Sequence, residues 1–120
     1  ESDAAGVVAA EATAAQLSEL QALHTELEEA VDDAERFFAV NERFHMALLT
    51  VANNRWRNQV VEDLRKVMKL NRHNSLLKAG RIEESLAEHR AVMAAIEARD
   101  PTAAMANMQA HFRSGLEAAS

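Results

Sequence analysis

The chain has 120 residues and a formal charge of −6, from 13 Lys and Arg against 19 Asp and Glu. A surface of that sign repels a phosphate backbone, so this segment alone is not expected to bind DNA. The absence of cysteine excludes disulfide scaffolds, thiolate metal sites and cysteine nucleophiles. No apolar run approaches the ~20 residues that cross a bilayer. Charges also interrupt the Ala-rich start where a signal peptide would be apolar, so the chain reads as soluble and cytoplasmic, with no membrane partner.

Strong helix formers dominate while Gly (3), Pro (1) and Tyr (0) are scarce, which predicts an all-α fold in one domain spanning residues 1–120. Five helical segments are expected between the breaks. The first, about Asp3 to Val31, carries Val7, Val8, Leu17, Leu20, Leu23 and Leu27. The second, about Asp33 to Ala52, is closed by Asn53-Asn54. The third runs from about Arg55 to Ala79, with Gly80 as its C-terminal stop. The fourth spans about Arg81 to Arg99. Asp100-Pro101 then sets a capping carboxylate before a proline at the first helical position of the fifth, about Pro101 to Ala118. Connections this short favour antiparallel neighbours and hence an up-and-down bundle.

Placed on a helical wheel, several polar residues fall on stripes that should be buried. In the second segment Phe37, Val40, Phe44, Leu48 and Val51 define the apolar arc, and Asn41 and His45 lie inside it one turn apart. In the fourth, His89 is central to the stripe of Ile82, Leu86, Met93 and Ile96. In the fifth, His111 lies among Ala104, Met108, Phe112 and Leu116. Each such polar group must find a partner or cost several kcal/mol of desolvation. One shared ligand would satisfy them together, and three imidazoles with an amide oxygen make a shell suited to a divalent transition metal, Zn or Ni foremost. With neutral ligands only, that site is positive and invites an anion.

On the third segment Val60, Val61, Leu64, Val67 and Met68 are expected to form the buried stripe, which Asn71 and Ser75 continue. Arg72 flanks this face and Arg65 lies near its edge, so Arg65, Asn71, Arg72 and Ser75 are the candidate contacts to an anionic guest. His24 and His73 are expected at the surface, and Trp56 as an anchor in the first turn of the segment.

The run Asn41-Glu42-Arg43-Phe44-His45, then Asn54, Glu88-His89 and His111, with Ala95-Ile96 and Asp100-Pro101 between, resembles the signature of the FCD domain of GntR-family bacterial transcription regulators. The likeness extends from the region of Glu1 to about Phe112. It implies an antiparallel helical bundle in which His45, His89 and His111 bind a metal and Asn41 stands where the family usually has Asp. That departure removes a negative charge and is expected to weaken metal affinity or alter metal choice. By the same resemblance the metal lies at the floor of a cavity for small carboxylates such as sugar acids and hydroxy acids, and the domain is dimeric. A winged helix-turn-helix normally precedes it and is absent from this chain; DNA would be bound only through that domain, under effector control.

Two other readings compete. A di-iron enzyme needs Glu-x-x-His on two helices, but only Glu42 and His45 fit, since Leu86 and Met108 stand three before His89 and His111. Glu88, the nearest general base, is expected to point away from the side His89 faces, so catalysis is not expected. Alternatively the histidines are hydrogen-bonded core residues of a metal-free structural or dimerising module.

Overall fold

Six α-helices, and no strand, form the described part of the computed structural model. It covers residues 1–119 without the side chains at 55–57, 71 and 119, so the expectations for Trp56 and Asn71 lie outside the described residues.

The expected first helix is in fact two, α1 (Ser2–Glu11) and α2 (Ala14–Glu29). Ala12 is extended, and Thr13 caps α2 reciprocally: its hydroxyl accepts from the Gln16 N–H at 3.1 Å while its own N–H donates to Gln16 Oε1 at 2.9 Å. Two otherwise unpaired donors are satisfied, which makes this the favourable place for the chain to turn. The break lets α1 lie directly against α6 (Pro101–Ala119). At Gly6 a Cβ would stand 2.7 Å from Met105 Cγ, so the close crossing needs the missing side chain.

α3 (Ala34–Ala52) starts at Asp33, whose carboxylate accepts the Arg36 N–H at 3.2 Å, and ends at Asn53 in the left-handed region with φ 54°. Asn tolerates that region better than most residues, as the Asn53-Asn54 break predicts. α4 (Arg55–Leu76) ends three residues sooner than expected. Gly80, at φ 79°, is the N-cap of α5 (Arg81–Glu97) rather than the stop of α4. α6 begins as predicted: Asp100 Oδ1 accepts the Ala103 N–H at 3.1 Å ahead of Pro101.

The stripes on α2, α3, α5 and α6 meet in two apolar clusters. One gathers Val8, Leu20, Phe44, Leu48, Val92, Ile96 and Met108; the other gathers Leu27, Phe37, Val40, Leu76 and Leu86. The radius of gyration, 13.3 Å, is that of one domain of this length.

α4 is the exception. Val60, Leu64 and Val67 are 59%, 56% and 82% exposed, whereas Arg65 and Ser75 are buried. The expected stripe is therefore rotated away from the core. Arg65 turns inward because two carboxylates wait there, Glu1 and Glu42, and these ion pairs outweigh the modest burial that the valines would gain on a surface helix.

Candidate metal centre and its cavity

α3, α5 and α6 each bring one imidazole to the same interior point. His45, His89 and His111 are all buried, and one ring nitrogen of each lies within 4.8 Å of the others. The His45 and His111 rings stack at 5.3 Å, with His89 edge-on to both at 5.2 and 4.4 Å. Phe44 packs against His45 and His89, and Phe112 against His45 and His111, which holds the rings in place.

The outward nitrogens are all engaged by acceptors. His45 Nδ1 meets Glu1 Oε1 at 2.8 Å, His89 Nδ1 meets the Ser85 carbonyl at 2.7 Å, and His111 Nδ1 meets Glu88 Oε1 at 2.7 Å. A carbonyl or carboxylate can only accept, so each Nδ1 carries the hydrogen, and in the neutral ring each Nε2 is a bare lone pair. This is the orientation that metal-ligating histidines adopt.

The neutral state is enforced. Burial lowers the His45 pKa to about 4 despite the nearby Glu1 charge. Burial, and then the neighbouring His111 and His45, push His89 well below the usual imidazole range. The Nε2 atoms of His45 and His89 stand 3.3 Å apart, and with both hydrogens on Nδ1 the two lone pairs face each other, an arrangement that a cation would satisfy. Two nitrogens at Zn–N bond lengths of about 2.05 Å in tetrahedral geometry would lie about 3.3 Å apart. Asn41 Oδ1 is a further buried acceptor without a partner. Lone pairs without donors are the signature of a donor set for a metal, and the residues present fit one.

Beside the triad lies a cavity of about 320 Å³, lined by Glu1, Asn41, His45 and His111 on the polar side. Arg65, Arg72 and Ser75 also line it, so three of the four expected anion contacts are brought to the cavity; Asn71 is the fourth. Both arginines are occupied. Arg65 donates to Glu1 at 2.6 Å and to Glu42 at 2.8 and 3.2 Å; Arg72 donates to Glu42 at 2.8 and 3.0 Å and to the Arg65 carbonyl at 2.8 Å.

Burial opposes the charge on Glu1, but His45 and Arg65 outweigh it and hold its pKa at about 2. Burial likewise opposes ionisation of Glu42, and Arg72 and Arg65 bring it below the usual range. Arg65, Arg72 and Arg81 thus balance Glu1, Glu42 and Glu88, so a bound metal would leave its own positive charge uncompensated.

Three residues of the site were not anticipated in these roles. Glu1 precedes α1 and reaches across to α3 and α4; nothing local in the sequence marks it. Arg81 is buried and pairs with Glu88 at 3.1 Å; its place one turn before Ser85 and two before His89 was the available signal. Glu88 does not point away from the site: it accepts the His111 Nδ1–H, and His111 and Arg81 keep it ionised against burial. His24 and His73 stay outside the triad, paired with Glu28 at 3.0 Å and Glu35 at 2.8 Å.

Among known families, residues 1–114 match the family model described as the FCD domain. No curated protein matches the chain.

Proposed function

The chain belongs to the FCD domain family, and from that premise we propose that it is the metal-binding, effector-sensing part of a GntR-type transcription regulator. FCD domains are regulatory, ligand-binding domains of transcription factors, which favours a sensor over an enzyme. The observation that carries the reading is the convergence of three imidazoles whose Nδ1–H groups all donate outward.

His45, His89 and His111 would hold a divalent transition metal, Zn or Ni, with Asn41 as an oxygen donor. When bound, the metal supplies a Lewis-acidic positive charge for the carboxylate of a small organic acid. The surrounding residues set how that acid is received. Arg65 and Arg72 tie α4 to Glu42 of α3, and the negative charge of an entering acid weakens that tie by drawing on the same guanidinium groups. Ser75 and Asn71 extend the same helix. Weakening of the α3–α4 tie lets α4 shift.

In a homodimer such a shift changes the spacing of two DNA-reading heads, with coupling of about 1–3 kcal/mol. DNA contact belongs to an N-terminal winged helix-turn-helix outside these 120 residues, and the regulator works in the cytoplasm. The exposed apolar side chains of α4 support a dimer.

The test is the metal content of tag-free protein by elemental mass spectrometry, beside the His89→Ala/His111→Ala variant, with circular dichroism to check that both are folded. Near-stoichiometric metal, lost in the folded variant, is expected. A wild-type chain that stays metal-free after incubation with Zn or Ni would sink the metal-dependent reading.

A further inference from the structure

We infer that the acid received here is an amphipathic monocarboxylate, with its carboxylate at the Arg81 end of the cavity and an aliphatic or aromatic body, rather than a polyhydroxylated acid. This rests on the function proposed above and narrows it.

The first observation is the supply of polar groups. Arg65 and Arg72 are engaged with Glu1, Glu42 and a backbone carbonyl, and the three Nδ1–H groups are taken as well. Among the described residues, Arg81 is the cavity-lining cation with a buried donor left unpaired: it is 3% exposed, lines the cavity, and its Nε–H has no partner. Glu88 links its guanidinium to the outer, Nδ1 edge of His111, so Arg81 stands at the histidine end of the cavity.

The second observation is the opposite wall. Val61, Leu64 and Met68 of α4 face the cavity together with Phe112 and Leu116 of α6. Leu64 and Leu116 remain 56% and 62% exposed. Contiguous apolar side chains over a cavity mark a binding surface in a way that scattered ones do not. Each methylene laid against them tightens binding about fourfold. Each hydroxyl buried there without a partner weakens binding by about five- to 150-fold.

Acetate, hexanoate and gluconate separate the possibilities, because the last two share six carbons and differ in hydroxylation. Titrated calorimetrically into the Zn-loaded chain, hexanoate should bind on the order of 100-fold tighter than acetate, and gluconate more weakly than hexanoate. Arg81→Lys keeps a positive charge beside Glu88 but removes the Nε–H. Compared at equal Zn occupancy, it should cost hexanoate about tenfold or more.

Gluconate binding as tightly as hexanoate, or a gain of hexanoate over acetate below about threefold, overturns the inference and leaves the metal–carboxylate sensor standing. Failure of all three acids on Zn-loaded protein overturns the inference and the effector reading together, and failure of Zn itself to bind overturns the metal reading.

Discussion

His45 and His89 are conditional members of the fold, since burial tolerates each only without its second proton. The unfolded chain titrates His45 near the ordinary imidazole value of 6.5, and the folded chain near 4; His89 is displaced in the same sense. Protons therefore bind the unfolded state first. The stability contribution is complete above about pH 6.5 and is lost as pH falls towards 4, His45 alone accounting for about 3 kcal/mol. Metal-free protein should thus show its urea midpoint fall steadily between pH 7 and 4.5. The depressed carboxylates Glu1, Glu42 and Glu88 titrate below that window and do not obscure it. A flat profile from pH 7 to 5 would contradict a neutral, buried His45 and His89. Glu88 makes a second prediction: Glu88→Gln weakens the grip on the His111 ring and should lower Zn affinity on the order of tenfold in a chelator competition. Unaltered affinity would mean that His111 is oriented by packing alone. His45, His89, His111 and Asn41 were legible because a polar residue on an apolar stripe is visible from periodicity. Glu1 was not, because its contacts lie 44 and 64 residues away in the chain.

Among the elements, the division between α1 and α2 decides where Glu1 stands, and the Thr13–Gln16 box that makes it is a local motif. Thr13→Ala should cost about 1 kcal/mol in unfolding free energy; a loss no larger than that of a neutral surface substitution would show that packing of α1 on α6 sets the break unaided. The signal T-x-x-Q was present in the sequence, masked by apolar spacing that runs on through it. α4 was misread for a different reason. Its wheel has two faces of comparable size, one apolar and one carrying Arg65, Arg72 and Ser75, and periodicity favours the apolar one. The buried face is instead the one that meets Glu1 and Glu42, partners no single-helix pattern can reveal. Few of α4's described side chains are buried, namely Arg65, Ser75 and Leu76, so α4 is held largely by ion pairs and is the element best suited to respond to an anion.

For the whole molecule, the outward face of α4 is the principal unburied apolar surface. Val60, Val67 and Leu70 of α4, with Leu77 just past its end, are 59–82% exposed and turn away from the cavity. A second copy covering them would account for this surface. Sedimentation equilibrium should find a dimer, and Val67→Glu with Leu70→Glu a folded monomer; a monomeric wild-type chain at tens of micromolar would remove the dimer from the proposal. The amino-acid sequence by itself determined the all-α class, most helix boundaries, four of the core-facing stripes and the histidines of the candidate site. Those depend on propensity, capping and the 3.6-residue period, which act within a few residues. Only the tertiary structure decided which nitrogen of each imidazole faces inward, that Glu1, Glu88 and Arg81 complete the site, and which side of α4 is buried. Those outcomes depend on charges meeting across the chain, and their energies exist only once the helices have packed.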